Sequence, residues 1–276
     1  MIVHFIGKAG TGKSTLMASV AADAGYATPP DGLGRMLSLA DWMLPVALPL
    51  AWPVGRRFVA HNRKGDRGPT AQGWTTSIAM QMARRWVVPR EQIHLVDHAM
   101  TNQLRKHANA TASPLLDALP LPEMVVNVTA PHALTVARVV LRDKPGQLLG
   151  RPLSGETALE TGRALARRWL AMLGADETLR CLRAWSRWKC SPELGDQQIV
   201  SLLVDAQRMP LTEDDLAAIH ADPLPQQWRW LHDGYVERGV QWLNIVNDGR
   251  EPPNVHARQI VDAIRQHTSV MSASAL

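Results

Sequence analysis

The sequence predicts an α/β fold, a parallel sheet covered by helices on both faces, and three features predict it. Short apolar runs bounded by turn residues, at Ile2–Ile6, Gln92–Val96, Met124–Val128 and Gln241–Val246, have the length and composition of strands buried on both faces. Helical stretches separate these runs, and that alternation calls for parallel strands joined by crossovers. The first run also passes through a glycine-rich turn into a helix, Ser14–Ala24, with Leu16, Val20 and Ala24 along one stripe. At 276 residues, 46% hydrophobic and 20% charged, the chain can bury a full core, which excludes the disordered class.

Taken in order, Gly25 ends the first helix, and Tyr26–Thr28 is expected to be a short second strand. Pro29-Pro30-Asp31-Gly32 then predicts a turn. From Trp42 through Pro45, Trp52 and Pro53, large apolar groups alternate with helix breakers, and no element can be assigned. Arg56, Arg57, Arg63, Lys64 and Arg67 make the next segment basic. Helical composition returns at Ser77–Val87, and the third strand ends at Asp97. After the fourth strand, Pro131 sits where a first helical turn tolerates proline, and that helix runs to about Arg142. Glu156–Leu173 and Asp176–Lys189 read as helices parted by Gly174, and Thr212–Asp215 resembles a capping box. The fifth strand, Gln241–Val246, leads to a helix at Asn254–Gln266. The expectation is one domain over 1–267, with a lid and helical insertion at about 143–238 and a frayed tail at 268–276.

Several classes drop out. Cys181 and Cys190 lack a metal-binding or disulfide pattern and read as two reduced thiols. The apolar stretch Leu44–Val54 is too short to span a bilayer and carries three prolines, so no membrane partner is expected. No signal peptide is visible, and the cytoplasm is the expected location. The net charge of +5 comes from Arg more than Lys. It suits a polyanionic small molecule and is too modest to favour nucleic acid.

The chemistry starts at Gly7-Lys8-Ala9-Gly10-Thr11-Gly12-Lys13-Ser14-Thr15, a phosphate-loop pattern. Glycines let the backbone curl around phosphates with its N–H groups inward, and the following helix aims its positive end at the anion. Lys13 is placed to reach the β- and γ-phosphates and Ser14 to ligate Mg²⁺. The expected ligands are ATP, with GTP also suited, and Mg²⁺.

A metal-bound triphosphate calls for a carboxylate, and functional groups in open parallel sheets gather at the carboxyl ends of strands. Asp97 occupies that place, as a metal or base residue or, in the plainer reading, as a helix cap. His98 follows it, and His94, His98 and His107 form no zinc spacing. Arg138 and Arg142 share a helix face, and Lys144 and Arg151 follow in a segment bearing Pro and Gly. Arginines on a hinged lid would clamp a migrating phosphoryl group, and a solvated basic face is the alternative. Arg163, Arg167, Arg168, Arg180, Arg183 and Arg187 alternate with Trp169, Trp185 and Trp188, a pattern read as plain amphipathicity.

These motifs together resemble the P-loop nucleoside and nucleotide kinases, most closely the thymidylate-kinase-like branch. The resemblance rests on Gly7–Thr15, Leu95-Val96-Asp97-His98, Val125–Pro131 with Arg138 and Arg142, and Asn244–Gly249. It implies a three-layer sandwich with a five-stranded parallel sheet in the order 2-3-1-4-5. It implies phosphate transfer from ATP with Mg²⁺ at Ser14 and Asp97, to a nucleoside, a nucleotide or a similar small acceptor. By the same resemblance Lys13, Asp97, Arg138, Arg142 and Arg151 are catalytic, Asn247 and Asp248 lie beside the adenine, and a homodimer is allowed. His98 stands where the family carries arginine, and Pro29–Arg35 lacks the family's second-strand motif, although Asp31 and Arg35 are substitutes there. Two rivals remain open, a regulatory P-loop NTPase and a nucleic-acid end kinase. A transporter-type ATPase has only Leu153-Ser154-Gly155-Glu156 to support it.

Overall fold

Four parallel strands organise the protein in the computed structural model, which describes residues 1–24, 29–61, 69–87, 92–97, 100–142 and 151–273, with 29–41 and 270–273 as backbone alone. The strands are β1 (Ile2–Ile6), β2 (His94–Asp97), β3 (Met124–Thr129) and β4 (Gln241–Val246), in the order β2-β1-β3-β4. Every residue of β1 and β3 is buried, the polar His4, Asn127 and Thr129 included, as befits strands between two helical layers. The five-stranded expectation is corrected to four among the described residues. Helix α1 (Lys13–Ala24) ends and α2 (Pro29–Ala60) begins so close together that little chain separates them, and the expected strand Tyr26–Thr28 lies outside the described residues. The remaining four strands keep their expected order.

One face of the sheet is covered by α1 and by α11 (Pro253–Ala273), with Val3, Phe5, Leu16, Val20, Ile260 and Ile264 between them. The other face carries α2, α3 (Ala71–Val87), α4 (Met100–His107), a 3₁₀ segment at Ala110–Ala118, and α10 (Arg229–Val236). A third core lies off the sheet. There α5 (His132–Leu141), α6 (Gly155–Leu173), α7 (Ala175–Lys189) and α8 (Asp196–Arg208) enclose Trp169, Leu182, Trp185 and Leu202. The short α9 (Glu213–Ile219) starts at the expected capping box, in which Thr212 and Asp215 bond each other's backbone N–H.

Helix α2 departs most from expectation. The turn at Pro29–Gly32 is its first turn, where proline's missing N–H costs nothing. Pro45, Pro49 and Pro53 lie inside the helix at four-residue spacing, so they share one stripe on its exposed side. Trp42, 84% exposed, begins the same stripe, and Val46 and Leu50 follow it. The opposite side supplies the packing: Ala47, Ala51 and Phe58 are buried, Gly55 lets the backbone close on Thr75, and Phe58 stacks on Trp74 with ring centroids 5.0 Å apart. Burial against α3 holds together a helix that its prolines would break in isolation. Among the described residues no helix is long and apolar enough to cross a membrane. Arg63, Lys64, Arg67, His98 and Lys144, and the side chains of Asp31 and Arg35, lie outside the described set.

A buried polar chain ties the sheet to its helices. Gln81 donates to His4 Nε2 (2.7 Å), His4 Nδ1 bonds Thr101 Oγ1 (2.6 Å), and Thr101 meets the Tyr235 hydroxyl (3.1 Å). Burial, helped by the Arg84 charge, lowers the His4 pKa to about 3, so the ring is neutral. At the C-terminus, the tail expected to fray from Thr268 is helical to Ala273. Thr268 and Ser269 turn their hydroxyls onto the Ile264 and Arg265 carbonyls of the preceding turn.

Candidate active site

Between β1 and α1 the chain curls as the glycine pattern requires. Gly10 and Gly12 have φ of 82° and 88°, a region that side-chain-bearing residues rarely adopt. Gly12 is doubly constrained, because a Cβ there would strike the Asn247 side-chain amide. A Cβ on Gly7 would strike the Val128 carbonyl. Lys8, Ala9, Ser14 and Thr15 are exposed around the loop, whereas Thr11 and Lys13 are buried.

The parallel register sets Asp97 beside Phe5, at the carboxyl end of the sheet and level with the loop. Lys13 Nζ lies 3.3 Å from Asp97 Oδ1, and the Ser14 hydroxyl donates to Asp97 Oδ2 at 3.1 Å. The three residues expected to handle phosphate and metal therefore meet. Each Asp97 oxygen thus faces a residue at the start of α1.

Other side chains hold the loop from behind. Asn247 donates to Thr11 O (2.8 Å), and its own N–H bonds Thr129 O (2.8 Å), so the turn after β4 is sewn to the loop. Asp248 accepts from Arg250 N (3.0 Å) and shapes that turn. Arg138 bonds Gly10 O (3.3 Å) and Asn247 Oδ1 (3.2 Å). Burial, then the nearby Arg142 charge, lowers the Arg138 pKa. Arg138 thus sits in the last turn of α5, on the helix expected for it, and braces the loop; residues 143–150, where the hinged segment was expected, lie outside the described residues. Arg142 caps that helix and is exposed. Arg151 is exposed, and among the described residues no contact brings it to the loop.

Sequence reasoning missed Arg105. It is 5% exposed, donates to Gly7 O (3.1 Å) and to Asn102 Oδ1 (2.7 Å), and lies 4.5 Å above the Trp228 ring. Burial lowers its pKa to about 10, which leaves it cationic. An Asn and an Arg three residues apart on a helix was the available signal, and it does not reveal a reach to a loop nearly a hundred residues away.

The arginine-rich helices are occupied with carboxylates. Arg167 and Arg168 both bond the fully buried Asp215 at 2.7 Å, while Arg180 and Arg183 pair with Glu177 and Asp196. Burial alone would raise the Asp215 pKa, but the two guanidinium bonds and those from Thr212 outweigh it and hold the carboxyl well below its usual range. This is the amphipathic reading of α6 and α7. Cys181 and Cys190 are free and buried, and burial pushes the Cys181 thiol up to about 12. Among the described residues no cluster of three His, Cys, Asp or Glu forms a metal cage. No family model matches the chain, and neither a curated protein nor a solved structure matches it.

Proposed function

We propose that the protein is a P-loop phosphotransferase that moves the γ-phosphoryl group of ATP, or of GTP, to a small acceptor with Mg²⁺. One observation carries this reading: Asp97, 83 residues beyond Ser14, meets Lys13 and Ser14 at 3.3 and 3.1 Å beside a loop that only glycines can form. The Ser14 hydroxyl and Asp97 carboxylate are hard oxygen donors of the kind Mg²⁺ takes, alone or with water and phosphate oxygens. When bound, Mg²⁺ neutralises charge on the β- and γ-oxygens.

The chain's own residues supply the rest. Loop N–H groups up to Ser14 bind phosphate oxygens, and the α1 N-terminus faces the same charge. Lys13 steadies the oxygens that gain charge during transfer. Arg105, Arg138 and Asn247 keep the loop carbonyls turned outward, so its N–H groups stay preorganised. A reducing, cytoplasmic setting fits the two buried thiols.

Labelled ATP offered with nucleosides, nucleotides, sugars and oligonucleotides tests the proposal. Transfer to one small acceptor is expected. A nucleotide-saturated protein that labels none of them would be a regulatory NTPase, and transfer to oligonucleotide ends would make it a nucleic-acid kinase.

A further inference from the structure

The connection between α9 and α10, His220–Trp228, passes over the end of the sheet and lines one side of a cavity of about 240 Å³. Lys8 and Thr11 of the phosphate loop form one wall, Thr129 and His132 another, and Asp222 and Trp228 the roof. The roof is fastened to the site. Asn127 Nδ2 donates to Pro223 O (2.8 Å), and Trp228 packs beneath Arg105, which bonds the Gly7 carbonyl. Asp222 Oδ1 accepts from Leu224 N (2.9 Å) and fixes the turn that presents the carboxylate.

Topology places this cavity opposite the metal-binding pair. Asp97 ends β2 and the cavity adjoins the end of β3, on the two sides of β1. A triphosphate in the loop would have Ser14 and Asp97 on one flank and the cavity on the other. Both Asp97 oxygens are engaged, by Lys13 and Ser14, whereas Asp222, one of whose oxygens accepts from Leu224 N, is the carboxylate among the described residues that line the cavity.

Size and charge restrict the occupant. The volume falls below the ~300–1,000 Å³ typical of drug-sized ligands, which points to a molecule no larger than a monosaccharide. Arginine forks are the commonest grip on a phosphorylated acceptor, and Lys8, the one lysine among the described residues that line the cavity, belongs to the phosphate loop. Arg105 and Arg138 are spent on loop carbonyls, and no arginine is among the described residues that line the cavity. Burial, then the charges of Lys8 and Arg168, lower the His132 pKa, which makes it a neutral hydrogen-bonding group.

We infer that this cavity is the acceptor site, that the acceptor is an unphosphorylated polyhydroxyl compound, and that Asp222 takes its proton. The inference rests on the kinase reading. The acceptor's hydroxyl oxygen bonds to the γ-phosphorus as the bond from that phosphorus to the bridging oxygen breaks. The bridging oxygen leaves with its electron pair on the nucleoside diphosphate, and the hydroxyl proton passes to Asp222 and then to water. The helical segment thus supplies a base and a roof for chemistry on the sheet.

The test is thermal unfolding with Mg²⁺ and a non-hydrolysable ATP analogue, alone and with free monosaccharides, inositol and glycerol or the phosphate esters of the same compounds. A free polyol is expected to raise the midpoint by at least about 2 °C. Ala130→Trp, which fills the cavity, should lose that second shift and keep the one given by the nucleotide. Asp222→Asn should transfer label from ATP at least about 100-fold more slowly, with partial recovery in Asp222→Glu. The inference falls if only phosphate esters shift the midpoint, if no compound does, or if Ala130→Trp and Asp222→Asn behave as wild type. Absence of any shift with the nucleotide itself would instead overturn the kinase reading.

Discussion

Lys13 and Asp97 face each other across 3.3 Å, and each makes a separate prediction. Lys13→Ala should fold normally by circular dichroism and lose phosphoryl transfer by at least about 1,000-fold, because the removed charge acts on the migrating group. A folded variant with undiminished turnover would refute the assignment. Asp97→Asn should lower the rate at saturating Mg-ATP by at least about 100-fold, whereas a loss confined to stability would leave it a structural partner of Ser14. His4 predicts a pH effect. Its pKa falls from 6.5 to about 3 on folding, so the unfolded chain binds the extra proton between those values. Stability from neutral His4 is complete above pH 6.5 and is lost on acidification, by about 1.4 kcal/mol per pH unit. Urea unfolding at pH 7.5 and 5.5 should show a steeper fall in wild type than in His4→Gln; equal slopes would contradict the account.

At the scale of elements, what could be read from sequence followed from local rules. The loop was legible because its backbone path demands glycine, and Gly10 and Gly12 do have positive φ. The Thr212–Asp215 cap and the break at Gly174 were legible for the same reason. Helix α2 was not, because three prolines argue against a helix and only packing against α3 offsets what they cost. Arg105 and the His220–Trp228 roof were illegible too, since their roles are contacts between distant segments. Asp215 predicts how the off-sheet core depends on one charge: Asp215→Ala strands Arg167 and Arg168 and removes the half of the α9 capping box in which the carboxylate accepts from Thr212 N–H. It should cost about 2–4 kcal/mol in denaturant unfolding. A change below about 0.5 kcal/mol would show that solvent satisfies both arginines.

Across the whole molecule, three cores divide the work. Two clamp the sheet whose carboxyl ends carry the phosphate loop and Asp97, and the third supports the segment that roofs the cavity. The parallel direction of the four described strands follows from their alternation with helices, and their order is the one the family resemblance implies; the third core was legible as a helical insertion, but what it packs against was not. All of this chemistry presupposes a bound triphosphate. Titration calorimetry with Mg-ATP and Mg-GTP, on the wild type and on Lys13→Ala, addresses that most directly. One-site binding by the wild type, weakened by at least about tenfold in the variant, is the predicted result. Heat indistinguishable from dilution with both nucleotides would contradict the account.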